Sequence, residues 1–202
     1  KLQRRTSNPD RLPESERRGD YQLYTTLLVG DRGGDPLAPV ALSLYAADGV
    51  HCSRWPGVRP ALSPLDEVEP AMSFVERQHL GKPVVHIIDA QADSVAHYRQ
   101  WSSWPGRLYL VRADDRLVEH EGQELRCSAL QAWCRHQQTF RHVRDVSYRG
   151  RMAQQWVAEV PVRLTRSGQL QRGGKKIWVH GPPLDLRLII AGMPRSATEQ
   201  AG

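Results

Sequence analysis

Apolar and polar positions alternate along much of this chain, which is the period of half-buried strands. In three stretches the alternation gives way to the three-to-four spacing of helices. The first predicted strand covers residues 21–29 (YQLYTTLLV). Asp31-Arg32-Gly33-Gly34-Asp35-Pro36 follows as a turn signal, and residues 39–46 return with Val40, Leu42 and Leu44 alternating with smaller neighbours. The two read as an antiparallel hairpin. Residues 49–62 read as irregular, broken by Trp55-Pro56-Gly57 and Arg59-Pro60. A helix is expected over 64–80: Ser63 is placed to cap it, Asp66 and Glu67 suit its first turn, and Leu65, Val68, Met72, Val75 and His79 share a face. Pro64 suits the first helical position, whereas Pro70 fits poorly inside, so the helix begins at one or the other; Gly81 ends it.

The stretch that organises the rest is Lys82-Pro83-Val84-Val85-His86-Ile87-Ile88-Asp89-Ala90-Gln91-Ala92-Asp93-Ser94. A β-branched apolar run over 83–89 reads as a buried strand that ends in an acid. Asp93 or Ser94 then caps a helix running to 101, and residues 107–112 (RLYLVR) form the next strand. This order makes an α/β layer. After Asp114 the texture changes. Residues 115–126 read as a short hairpin turning at Glu121-Gly122, residues 128–136 as a short helix, and residues 140–148, 155–164 and 184–191 as long alternating strands of an antiparallel part. Residues 1–20 form a polar arm or loop, and residues 193–202 a polar tail.

Composition narrows the classes. Hydrophobic residues make up 40% of the 202, enough for a packed core, and no apolar run approaches the length of a membrane span. The basic start (Lys1-Leu2-Gln3-Arg4-Arg5) lacks the apolar region of a signal peptide, and residue 1 is Lys rather than Met, as in a piece of a longer protein. Cys52, Cys127 and Cys134 are odd in number and lack the spacing of a zinc site, which fits a reducing compartment. The formal charge of +6 favours a polyanionic partner, nucleic acid first. That charge is concentrated. Between 141 and 176 lie Arg141, Arg144, Arg149, Arg151, Arg163, Arg166, Arg172, Lys175 and Lys176, against Asp145 and Glu159 alone, with Tyr148, Trp156 and Trp178 interleaved. Basic side chains and aromatics on a β-surface suit a nucleic-acid backbone; the alternative is a solvated face with its aromatics in the core. Arg172-Gly173-Gly174-Lys175-Lys176 is a turn and lacks the spaced glycines and Ser/Thr of a phosphate-binding loop.

Asp89 is the leading candidate for chemistry. A carboxylate at the C-terminal end of a strand in an open α/β sheet is placed to hold Mg²⁺, and equally to close an Asx turn between strand and helix. Asp93 reads as a helix cap. Arg112 leaves the next strand at the same edge, for a phosphate or for solvent; Asp114 and Asp115 read as a turn, and His86 as a satisfied core or interface residue. No Ser-His-Asp or Cys-His set is brought together by the sequence.

With these residues in place, 21–112 resembles the catalytic core of DDE-type insertion-sequence transposases of the cut-and-paste group, which carry a β-rich insertion. The family's second Asp ends a strand and opens a D-R-E-A-D-like box, here Asp89-Ala90-Gln91-Ala92-Asp93; the following strand ends in Arg, here Arg112. The resemblance implies an α/β, RNase H-like core over 21–114, incomplete here, with a mostly antiparallel β insertion over 115–192. It implies two-metal phosphoryl transfer for DNA strand cleavage and joining, with Mg²⁺ (Mn²⁺ substituting), Asp89 as the metal-bridging catalytic acid and Arg112 on a DNA phosphate. Arg141, Arg144, Arg149, Arg151, Lys175 and Lys176 are then the expected DNA-binding residues. The partners implied are double-stranded DNA of the transposon ends and a second protomer, in the nucleoid-associated cytoplasm of a prokaryote. Two departures shape the expectation. The box carries Ala90 and Gln91 where the family has Arg and Glu, and two of its three acids have no counterpart: the first Asp belongs upstream of Lys1, and Glu199 in the polar tail does not take the role of the Glu. The chain is therefore expected to be a catalytic domain inactive on its own, or a non-catalytic DNA-binding or regulatory remnant; an unrelated basic α/β binding protein is the third reading.

Overall fold

A computed structural model describes residues 5–6, 19–46, 48–60, 67–148, 150–172 and 175–192, with side chains 5–6, 19–20, 91 and 169–176 outside the description. It is a mixed α/β structure with mostly antiparallel sheets and, among the described residues, three helices; 49% is strand. The chain divides into two compact units: residues 1–86 with 106–109 and 171–175, and residues 87–105 with 110–170 and 176–202. No helix among the described residues is long and apolar enough to cross a membrane.

In the first unit β1 (Arg5–Thr6) and β2 (Gly19–Asp20) form a short antiparallel pair. A four-stranded antiparallel meander follows: β3 (Gln22–Val29), β4 (Pro36–Ala46), β5 (Gly49–Cys52) and β6 (Val58–Arg59). The β3–β4 hairpin forms as the alternation predicts, with its turn closed by the Gly30 N–H on the Asp35 carbonyl at 2.9 Å. Strands β5 and β6 correct the irregular reading of 49–62. Gly49, Pro56, Gly57 and Pro60 in and around them read as turn signals, which hides both strands. The pairing depends on Gly49, whose φ is +134° and where a Cβ would lie 2.3 Å from the Arg59 carbonyl oxygen.

Helix α1 (Val68–Glu76) ends four residues before the expected Leu80. Pro70 lies in its first turn, where the missing N–H has no partner to lose. The expected cap Ser63 and start at Pro64 lie outside the described residues. Gly81 does not end the helix. The Gln78 side-chain amide donates to the Phe74 carbonyl at 3.0 Å, and His79 turns left-handed at φ 48°, three residues after the last helical one. Met72 and Val75 of α1 are buried, as are Tyr45, Ala46 and Val50 of the meander, and all five belong to the core of this unit.

β7 (Val85–Ile88), a single 3₁₀ turn (Ala90–Ala92), α2 (Val95–Ser102) and β8 (Leu108–Val111) follow in the predicted order. The Arg112 N–H donates to the Ile88 carbonyl at 3.0 Å, which joins the C-terminal ends of β7 and β8, so the two run parallel. Parallel strands are ordinarily covered on both faces. Here Val85, Ile87, Leu108 and Leu110 are exposed while His86, Ile88, Tyr109 and Val111 are half-buried, so the strand expected to be buried has one exposed face.

The second unit holds the antiparallel part. β9 (Leu117–His120) and β10 (Gln123–Arg126) turn at Glu121-Gly122, both left-handed (φ 50° and 77°), as a tight two-residue hairpin requires. α3 (Cys127–His136) follows, then β11 (Arg141–Tyr148) and β12 (Arg151–Leu164). β13 (Gly168–Arg172) and β14 (Lys175–Val179) pair with each other, and β15 (Leu184–Gly192) returns along β12. β12 is the spine of a five-stranded sheet: β15 pairs with its residues 156–164, β11 with 151–157, and β9 meets it at Arg163–Glu119. Ala158, Val160, Val162 and Leu164 point to one side and are buried, while Glu159, Pro161 and Arg163 between them are exposed.

Candidate functional site

Strand β7 ends at Ile88 because Asp89 turns the backbone. The Asp89 carbonyl accepts the Ala92 N–H at 3.3 Å, and the Ala90 carbonyl accepts the Asp93 N–H at 3.2 Å. Asp89 is exposed at the C-terminal end of β7, and Arg112 is exposed at the same end of β8, where its own N–H makes the backbone bond that joins the strands. The two residues singled out in the sequence thus come to one edge, where open α/β sheets present their ligand-binding ends.

Asp93 corrects its reading as a cap. Ser94 takes the N-cap position of α2 and makes no side-chain capping bond. The Asp93 side chain, 2% exposed, instead accepts the Tyr98 hydroxyl, the Asp114 N–H at 2.8 Å and the Arg116 guanidinium, which also donates to the Asp93 carbonyl at 2.9 Å. Both oxygens of that carboxylate are committed to locking α2 to the segment that leaves β8. The Arg116 guanidinium also lies 5.4 Å from the Tyr98 ring centroid. Nothing in the local pattern marks Arg116, because its partner is twenty-three residues away.

Asp114 and Asp115 form the expected turn, closed by the Arg116 N–H on the Asp114 carbonyl at 2.8 Å. Asp115 also caps α3 from thirteen residues upstream, where its two oxygens accept the Ser128 N–H (2.8 Å) and hydroxyl (2.9 Å). The Ser128 N–H holds this carboxyl below the usual range. Arg99 of α2 carries no local signal in the sequence either. It donates to the carbonyls of Arg166 (2.9 Å), Pro182 (3.1 Å) and Val179 (3.3 Å), tying the end of β14 and the approach to β13 to the helix. His86 is satisfied, as expected: Nε2 lies 3.2 Å from Glu76 Oε1, and burial pushes the imidazole below its ordinary value. Glu76 also accepts Arg107 through both oxygens (2.8 and 2.7 Å), which holds its carboxyl low.

The basic window resolves into two kinds of residue. Arg163 pairs with Asp185 at 2.7 Å, Arg166 with Glu124 through two bonds at 2.8 and 3.1 Å, and Arg187, just outside the window, with Glu159 at 2.8 Å. Arg141, Arg144 and Arg151 are exposed on β11 and the start of β12, and Arg144 donates to Gln155 Oε1 at 2.8 Å. Arg149 lies outside the described residues, as do the side chains of Lys175 and Lys176. Of the three aromatics, Trp156 is half-buried with its ring against His142, while Tyr148 and Trp178 are exposed.

For a divalent metal the edge supplies the Asp89 carboxylate; the other acid of the box is bound to Arg116. The described residues contain no group of three or more His, Cys, Asp or Glu able to hold a metal ion, so they do not make up a two-metal ligand set. The three cysteines are free thiols. A shallow cavity of about 490 Å³ lies at the C-terminal end of α1, lined by Val75, Glu76, His79 and residues 80–84, and includes neither Asp89 nor Arg112. No protein-family model, no curated protein and no solved structure matches this chain.

Proposed function

We propose that this protein is of the DDE transposase kind: an RNase H-like core with Asp89 as its metal-bridging acid, and an antiparallel half that holds double-stranded DNA. The observation that carries the reading is the parallel β7–α2–β8 unit with Asp89 and Arg112 at its C-terminal edge. A carboxylate and a guanidinium there suit a metal-bound phosphodiester. Mg²⁺, with Mn²⁺ as substitute, is the ion that an oxygen donor selects. One carboxylate does not clamp two ions, so the described residues alone carry no strand-transfer chemistry. Pairing of two protomers on two DNA ends belongs to the same reading.

A second reading, a non-catalytic DNA-binding or regulatory relative, is favoured by Asp93, whose carboxylate serves the fold through Arg116. A plasmid-nicking assay with Mg²⁺ or Mn²⁺ is run beside a duplex-binding assay on the same chain. Binding without nicking is the result expected of an incomplete core; nicking that disappears in Asp89→Ala overturns the inactivity of this chain and establishes the enzyme; failure to bind duplex DNA removes both readings. An acid on an upstream strand and a Glu on a downstream helix in the same reading frame select the first reading over the second.

A further inference from the structure

Among the described residues, residues 151–155 of β12 pair with β11, and β15 pairs with residues 156–164. Arg144–Tyr148 and Arg151–Gln155 thus form a two-stranded ribbon among the described residues, with Gly150 left-handed at φ 75° before β12. Both faces of the ribbon are open: Arg144, Asp145, Ser147, Tyr148, Arg151, Met152 and Gln154 are exposed, with Met152 at 71%.

Cross-strand partners share a face. Arg141 stands opposite Val157, Arg144 opposite Gln155 and Tyr148 opposite Arg151, and these β12 positions are two or four apart, so all of them lie on one face. A bulge at Val143 keeps Arg144 in phase with Arg141. The acid of the ribbon, Asp145, stands opposite Gln154 on the other face, where it meets His142 at 3.1 Å. The arginine face therefore has no carboxylate of its own among the described residues, over about 20 Å of strand. Further along the sheet the arginines are neutralised in pairs by Asp185, Glu124 and Glu159.

We infer that this ribbon is a DNA-binding arm, lying in a groove of duplex DNA with Arg141, Arg144 and Arg151 on the phosphates. The inference rests on the DNA-binding reading above and names the surface that carries it. A two-stranded ribbon fits the major groove. Guanidinium groups not already paired with carboxylates match phosphate oxygens, and exposed Tyr148, on the same face opposite Arg151, suits packing on sugars and base edges.

The test compares two charge-matched triple variants of the full chain on a short fluorescent duplex at several salt concentrations. One is Arg141→Gln/Arg144→Gln/Arg151→Gln, and the other is Arg163→Gln/Arg166→Gln/Arg187→Gln. The ribbon variant is expected to lose at least about tenfold in affinity, and the slope of log affinity against log salt to flatten by about 2 to 3. The paired-arginine variant is expected to lose less than about threefold, since screening weakens distant charges. Thermal melts of the ribbon variant matching the unmodified chain exclude misfolding as the cause. Equal losses in both variants mean that DNA senses net charge alone and overturn the inference. A ribbon variant that binds like the unmodified chain overturns it while leaving the DNA reading intact. An unmodified chain that does not bind removes both. Competition by polyglutamate as strong as by unlabelled duplex identifies an acidic-protein surface instead and overturns the DNA assignment.

Discussion

Around Asp93 an arginine is consumed inside the protein, whereas on the β11–β12 ribbon arginines are presented to solvent. Arg116 spends its donors on a carboxylate that is 2% exposed, and Arg107, 1% exposed, does the same with Glu76, Glu69 and Ser73. Arg141 and Arg151 have no carboxylate within ion-pair distance among the described residues. The same side chain, in a chain with an overall charge of +6, thus builds the fold in one region and is available to a partner in the other. Counting basic residues along a window does not separate these uses; the acids that answer them come from distant segments.

The comparison breaks most sharply at Asp93. Asp93→Ala leaves the Arg116 cation without its carboxylate and is expected to cost about 3 kcal/mol in denaturant unfolding. A loss within about 0.5 kcal/mol would mean that this network is not structural. Arg107→Gln, which strips Glu76 and Glu69 of a shared partner, is expected to cost about 2 kcal/mol.

The same variant changes the pH profile. Glu76 is held low mainly by the Arg107 hydrogen bond and His86 mainly by burial, so both folded pKa values lie below the unfolded ones. Their stabilisation is complete above the ordinary imidazole value of about 6.5. The His86 part is lost first as pH falls below that value, and the Glu76 part follows below the ordinary carboxylate range, about 4.3. Urea titrations across this range should show both losses in the unmodified protein and a shallower acid limb in Arg107→Gln. An unchanged acid limb would remove Arg107 as the cause.

The smallest effect sharpens the contrast from the other side. Asp89→Ala, at an exposed strand end four residues from Asp93, is expected to cost well below the Asp93→Ala loss, about 1 kcal/mol, because its side chain is not buried. A cost near that of Asp93→Ala would make Asp89 a structural turn residue and weaken the case for it as a ligand.

Much of the element order was legible because its signals are local. The β3–β4 hairpin, β7, α2, β8, the Glu121-Gly122 turn and the long alternating strands each carry their period within a few residues. The placement of Asp89 and Arg112 at one edge was legible for the same reason: both are the residues at which apolar strands stop. Strands β5 and β6 escaped because Gly49, Pro56, Gly57 and Pro60 read as turn signals in and around them and β6 is only two residues long. The roles of Asp93, Asp115, Arg99 and Arg107 escaped because each depends on a partner between thirteen and eighty-three residues away.

Local side-chain preferences set where the backbone runs straight and where it turns, and composition alone gathers positive charge in one stretch. Those properties follow from side-chain shape, glycine and proline freedom and alternation, which act over a few neighbours. Tertiary structure alone decided which charges remain available. Strand register sets Arg163 beside Asp185 and Arg141 beside Val157, and a one-residue slip in either ladder would reverse the faces. Ion pairing falls off within a few ångströms, so it is fixed by folding, whereas net charge is fixed by composition.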